Sequence, residues 1–304
     1  MIVNRVMDST ILNIAFKCGM VDKVNSSVGA GSFNFETKEI TMADETVQTK
    51  VKGVVDLVML IDCSGSMQDC IDAIKSSIAS FVQQLALTDA NGGSPVKEWR
   101  MKICGYRDHQ DNSSTWFVDN AFVNDLASVQ AQLANENLRA SGGGDEPESL
   151  LDAIFKVASM EQTGIQDAVA GDKWRARSSA TRVVVFFTDA TFKQPMTLPE
   201  AVGGGISDVV NKVMAQRIVL CGFMPEWEGY EFLGGADKAE FNYVVKVADN
   251  AALAGLGKPG AEGDAASKAA VAGLKTISGD SDGFRKIMIQ LAKTVAKSAA
   301  VEAC

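Results

Sequence analysis

Histidine is almost missing: His109 is the single one among 304 residues. One imidazole cannot build the multi-histidine cages of zinc sites, and it allows a Ser-His-Asp scheme only if His109 itself stands at the site. Six cysteines (Cys18, Cys63, Cys70, Cys104, Cys221 and Cys304) are scattered with no C-x-x-C pair among them. No thiolate ligand pair is therefore built in, and a chain of this length buries enough core to need no disulfide framework. A thiol-reduced, cytoplasmic protein is the expectation. No apolar run approaches the roughly 18 residues that span a bilayer, so membrane insertion is not expected. Met1 to Met20 carries Asn4, Arg5, Asp8 and Asn13 where a secretory leader would be continuously apolar. Basic charge is in deficit, with 29 Lys and Arg against 38 Asp and Glu and a net charge of −9. Nucleic-acid binding depends on neutralising phosphates, and the main basic cluster, Lys173, Arg175, Arg177 and Arg182, is interrupted by Trp174. Nucleic acid is not an expected partner.

What the chain has is a globular composition, 46% apolar and 22% charged, which excludes wholesale disorder. Residues 1–52 read as a small β-rich extension. Thr10 to Phe16 looks like a strand, and Ser32 to Thr41 alternates Phe33, Phe35 and Ile40 with polar neighbours. An edge strand there either pairs with a second copy, giving a homo-oligomer, or covers its own sheet. From residue 53 to 304 buried strands alternate with amphipathic helices. Val54 to Ile61 is a near-continuous apolar run, as in a strand covered on both faces. A helix over Gln68 to Leu87 follows, with Ile71, Ile74, Ile78, Phe81, Val82 and Leu85 at helical spacing. Further strands are predicted over Trp99 to Gly105, Trp116 to Val123, Arg182 to Phe187, Ile218 to Phe223 and Tyr243 to Val247. Asp125 caps a helix, Pro147 opens another in its first turn, and Ile206 to Gln216 and a stripe from Phe284 to Val295 give two more. Insertions fall near 161–180 and 225–280, and Ala248 to Gly279, rich in Ala, Gly and Lys, reads as a flexible excursion or a weak helix. The order argues for an α/β fold: a doubly wound, mostly parallel sheet with helices on both faces, whose ligands bind beyond the carboxyl ends of the strands.

Three loops at those strand ends or helix starts carry oxygen donors. Asp62-Cys63-Ser64-Gly65-Ser66 follows the first buried strand, Asp189 follows the strand ending at Phe187, and Gly142-Gly143-Gly144-Asp145-Glu146-Pro147-Glu148 precedes a helix. One carboxylate with two hydroxyls is a hard donor set that suits Mg²⁺, Mn²⁺ or Ca²⁺. The competing reading is capping, with Ser64 or Ser66 satisfying helix N–H groups and the acids complementing helix N-termini. Convergence of all three loops favours the metal site.

These motifs in this order, over about Val54 to Ala300, resemble the von Willebrand factor A domain, a doubly wound α/β fold with a metal-ion-dependent adhesion site. The resemblance implies that Asp62, Ser64 and Ser66 bind Mg²⁺ and that Asp189 acts through water. Many members place a Thr where Gly144 stands. The loop here instead resembles the D-x-P-E of integrin β subunits, which implies Glu148 as the third-loop ligand and Asp145 as a ligand to a neighbouring cation. Asp69 matches the first of two further acidic residues in that pattern, and Cys70 replaces the second. Gly105-Tyr106-Arg107-Asp108-His109 is similar to a stretch in A domains fused to α-kinases. Asp108 and Asp111 either join a network around the metal or are solvated loop acids, the second being the commoner fate of loop carboxylates.

The expected function is a metal-dependent protein-interaction module, not an enzyme, that binds an Asp or Glu side chain of a partner through Mg²⁺. The alternative is an adaptor or assembly subunit working with an AAA+ ATPase or a kinase system. A metal-dependent hydrolase ranks third: there is no G-x-S-x-G elbow, Gly257-Lys258-Pro259 lacks the hydroxyl of a phosphate loop, and Ser64 breaks the D-x-D of dehalogenase-type phosphatases.

Overall fold

A computed structural model describes residues 53–87, 96–110, 115–142, 147–225, 227–234, 240–245 and 278–299, all within the compact unit Gln48–Cys304. The predicted strands of the N-terminal extension, Asp145, Asp111 and nearly all of the excursion from Ala248 lie outside the described residues. Among the described residues six strands form one sheet: β1 (Val54–Asp62), β2 (Glu98–Tyr106), β3 (Phe117–Asp119), β4 (Thr181–Phe187), β5 (Ile218–Pro225) and β6 (Glu240–Val245), in the order β3-β2-β1-β4-β5-β6. β3 runs antiparallel on the edge, and the other pairings are parallel. The helices are α1 (Gln68–Leu85), α2 (Leu126–Leu133), α3 (Leu150–Ser159), α4 (Ile206–Ala215), α5 (Glu228–Leu233) and α6 (Ser281–Ala299).

The apolar run of β1 exists because both of its faces are covered. Val55, Leu57, Met59 and Ile61 enter a core shared with Ile74 and Phe81 of α1 and Met288 and Leu291 of α6. Val58 and Leu60, pointing the other way, pack with Leu151 and Ile154 of α3 and Val209 of α4. Alternation on β4 sorts Val183, Val185 and Phe187 from Val184 and Phe186 in the same way.

Three boundaries differ from the sequence reading. The strand predicted over Trp116 to Val123 is only Phe117–Asp119 plus a single antiparallel bridge of Val123 to Met101. Between them the β2 backbone turns to side chains: Ile103 N–H donates to Gln132 Oε1 (2.9 Å) and its carbonyl accepts from Asn120 Nδ2 (2.8 Å). Pro147 does not open α3, which begins at Leu150. Glu148 is bridged in parallel to Phe192 instead, and an extended residue cannot share the helix's first turn. The last strand starts at Glu240, earlier than the predicted Tyr243, and residues 246–247 of that prediction lie outside the described residues.

The basic cluster is consumed internally at the opposite edge of the sheet. Arg100 grips buried Asp56 with Nε and Nη2, both at 2.7 Å, and Arg175 reaches Asp56 and Glu98. Arg182 bonds Gln216, Gln162 and the Arg175 carbonyl, and Lys173 pairs with Glu161. Such a bidentate buried pair fixes geometry, and removing one partner is costly because it strands the other charge.

Candidate metal centre

The carboxyl ends of β1, β2, β4 and β5 lie along one edge of the sheet. Asp62, the last residue of β1, is fully buried there. Its Oδ1 accepts from the Ser64 N–H (2.8 Å), and its Oδ2 accepts from the Thr188 hydroxyl (2.7 Å). The Thr188 hydroxyl oxygen accepts in turn from the Ala190 N–H (3.1 Å), which leaves its own hydrogen for Asp62. Burial raises the Asp62 carboxyl above its ordinary range in spite of these donors and of the Arg107 charge nearby.

The loop beyond Asp62 turns back because another loop holds it. Ser141 N–H donates to the Cys63 carbonyl (2.9 Å) and Gly65 N–H to the Gly142 carbonyl (3.0 Å). Gly142 has φ +72°, a conformation that costs a residue with a Cβ. Buried Arg107 anchors this support, donating to the carbonyls of Thr115, Asn137, Arg139 and Ser141 at 2.6 to 3.1 Å. Ser64 is buried and Ser66 is exposed. Neither the 3-10 turn Gly65–Met67 nor α1 takes a side-chain cap, so the capping reading of these hydroxyls does not describe this loop.

Glu148 enters from the third loop. Its N–H donates to the Thr191 carbonyl (3.0 Å), and its carbonyl accepts from the Lys193 N–H (2.9 Å). With the backbone clamped on both sides, only side-chain rotation can move the carboxylate. Its side chain is buried, and Oε2 has no hydrogen-bond partner. Burial above all, with the Asp62, Asp108 and Asp189 charges adding and Lys193 opposing, pushes the Glu148 carboxyl up to about 10. Asp189 is buried at the end of β4.

Asp108 is not a solvated loop acid. It is buried, takes the Ser149 hydroxyl (3.0 Å) and the Gln110 N–H (3.1 Å), and pairs with Lys193 Nζ at 2.6 Å. Thr188, Arg107, Ser149 and Lys193 escaped the sequence reading. Thr188 and Arg107 stand inside motifs already singled out, T-D and G-Y-R-D-H, so their positions carried a usable signal.

Among the described residues, no three His, Cys, Asp or Glu side chains close into a metal cage by themselves. The donors brought to this edge are of another kind: the Asp62 carboxylate, the Ser64 and Ser66 hydroxyls, and the orphaned Glu148 oxygen. A buried carboxyl whose proton affinity is raised by neighbouring acids, as that of Glu148 is by Asp62, Asp108 and Asp189, is what a divalent cation would relieve, and all of these donors are hard oxygens. The residues fit Mg²⁺ chemistry.

No protein-family model matches the chain. Over 158 residues it is 27% identical to the alpha-protein kinase vwkA of Dictyostelium discoideum, a match covering 50% of this chain and 22% of that protein. The chain thus matches little more than a fifth of that relative's length. Among solved structures, the VWA domain of SpRpn10 superposes with TM-score 0.41 and 14% identity over 62% of this chain and 86% of that one. Proximal thread matrix protein 1 from the mussel byssus gives 0.40 and 10% over 62% and 43%. These two likenesses are too distant to carry the assignment, which rests on the sheet order, its antiparallel edge strand and the succession of strand-end motifs. On that basis the described unit has a doubly wound, mostly parallel α/β fold like that of von Willebrand factor A domains.

Proposed function

We propose that this domain is a protein-interaction module that takes an Asp or Glu side chain of a partner protein at a Mg²⁺ site. The observation that carries the reading is Glu148 Oε2, a buried oxygen without a hydrogen-bond partner, in the same field as Asp62 and Asp189. Asp62, Ser64, Ser66 and Glu148 would hold the ion directly and Asp189 through water; Mn²⁺ and Ca²⁺ take the same oxygen set. Bound there, the ion supplies an electrophilic vertex that an outside carboxylate can occupy. Thr188 and the Ser64 N–H keep Asp62 oriented, and the clamp on Glu148 keeps its carboxylate within reach. Four direct protein donors leave room in an octahedron for water or for the partner. Among the described acids at this edge, Asp108 is already engaged by Lys193, and Asp62, Glu148 and Asp189 are assigned to the ion. That supports a non-enzymatic reading. No helix among the described residues is long and apolar enough to cross a membrane, and the free, buried Cys63, Cys70 and Cys104 suit a reducing cytoplasm.

The likeness to an alpha-protein kinase favours a second reading, in which the module serves a kinase system as an adaptor. The test of the first is a thermal-shift titration with Mg²⁺, Mn²⁺ and Ca²⁺ on wild type and Asp62→Ala, followed by binding to arrayed Asp/Glu peptides and their Asn/Gln counterparts. Ligand at about 100 Kd stabilises the folded form by about 2.7 kcal/mol. Wild type should respond to the cation and retain acidic peptides in a chelator-sensitive way. Equal melting responses from both proteins would sink the cation site; cation binding with no preference for acidic peptides would sink the partner assignment.

A further inference from the structure

Lys193 sits at the Glu148 corner for a reason that backbone structure does not supply. Its N–H donates to the Glu148 carbonyl (2.9 Å), and its ammonium turns to Asp108 Oδ2 at 2.6 Å. Asp108 Oδ1 receives the hydroxyl of Ser149, the residue after Glu148 (3.0 Å), and the Ser149 oxygen accepts the His109 N–H (2.8 Å). The contacts close a ring, Glu148–Lys193–Asp108–Ser149, so the ammonium stays beside Glu148 whichever way that side chain rotates. The ion pair is nearly dry, with side chains 15% and 6% exposed. An asparagine at 108 would accept the same two hydrogen bonds without any charge, and a buried ion pair is no gain over neutral packing. The charge calls for a separate account.

We propose that Lys193 is a resident counter-cation of the metal site: its ammonium offsets the Asp108 carboxylate beside Glu148 when the divalent ion is absent and opposes the ion when it arrives, so that it sets the cation affinity. The proposal rests on the reading of Asp62 and Glu148 as a cation site. The Lys193 charge does act on Glu148, pulling its carboxyl down against burial. Arg107, a buried cation at this edge, is bonded to backbone carbonyls and acts on Asp62. The two carboxylates therefore have different counter-charges, and only that of Glu148 hangs on a side-chain ion pair.

The experiment is isothermal titration of the full chain with Mn²⁺, for wild type, Lys193→Met, Lys193→Gln and Lys193→Arg, with melting temperatures taken in EDTA. Removing one positive charge from the Glu148 corner should tighten Mn²⁺ binding by roughly tenfold. The same neutral variants should melt lower in EDTA, and Lys193→Arg should bind Mn²⁺ within about twofold of wild type. A lesion that merely loosened the loop would lower melting and weaken Mn²⁺ together. Unchanged or weaker Mn²⁺ binding in whichever neutral variant retains the wild-type near-ultraviolet dichroism overturns the role of Lys193 alone. Failure of wild type to bind Mn²⁺ overturns the cation site itself, and this proposal with it.

Discussion

Replacing Glu148 by Gln should stabilise the cation-free protein, increasingly so as pH rises. A carboxyl raised from an ordinary 4.5 to about 10 stays protonated in the folded chain across that interval while the unfolded chain loses its proton. Below pH 4.5 both states hold the proton and Glu148 costs nothing. Above it, the unfolded state is favoured by about 1.4 kcal/mol per pH unit until the folded group ionises. At pH 7 the accumulated cost is about 3 kcal/mol, and Glu148→Gln, which never ionises, escapes it. At roughly 2–4 °C per kcal/mol for a domain of this size, the variant should melt about 6–12 °C above wild type in EDTA at pH 7. The gap should close towards pH 5 and widen at pH 8. Saturating Mg²⁺ should shrink it, because the ion stabilises wild type through the carboxylate that the variant lacks. Differential scanning calorimetry from pH 5 to 9, with and without Mg²⁺, reads all of this. A variant that melts no higher than wild type in EDTA at every pH would contradict the burial of an uncompensated acid at this position.

Other substitutions probe the rest of the molecule. Thr188→Val removes the donor to Asp62 Oδ2; it should cost about 1–3 kcal/mol in urea unfolding and weaken Mn²⁺ several-fold, with Thr188→Ser restoring both. No change in Mn²⁺ affinity would show that Asp62 needs no such support. Arg100→Met strands buried Asp56 at the far edge of the sheet and should cost about 3–5 kcal/mol while leaving cation binding intact; a loss under about 1 kcal/mol would mean that Arg175 alone satisfies Asp56. Gly105→Ala would put a Cβ 2.5 Å from Leu138 Cδ2 and 2.9 Å from Cys63 Sγ. The overpacking should cost about 1–3 kcal/mol by chemical denaturation, and a neutral result would show that Leu138 can withdraw.

The elements that could be read from sequence are those whose burial is periodic. β1 and β4 declare themselves because helices cover both faces, and α1 because Ile71, Ile74, Ile78 and Phe81 recur on one side. Trp116 to Val123 misleads for a local reason: Asn120 and Gln132 take over the hydrogen bonds that a longer β3 would have made. Pro147 misleads because a helix signal was outweighed by the bridge between Glu148 and Phe192, a contact distant in sequence. At the site, Asp62, Ser64, Glu148 and Asp189 were legible as oxygen donors at strand ends and helix starts. Their supports were not: the Thr188 hydroxyl, the Asn137, Arg139 and Ser141 carbonyls on Arg107 and the ring through Lys193 join segments tens of residues apart. Asp108 shows the same limit, since a loop position gave no hint that it would be buried.

The claim on which the rest depends is that Asp62, Ser64, Ser66 and Glu148 surround a single divalent cation. Electron paramagnetic resonance of a Mn²⁺ titration counts bound ions directly. The account predicts one tightly bound ion per chain in wild type and none in Asp62→Ala under the same conditions. Equal occupancy in the two proteins, or no bound Mn²⁺ in wild type at millimolar metal, would contradict it.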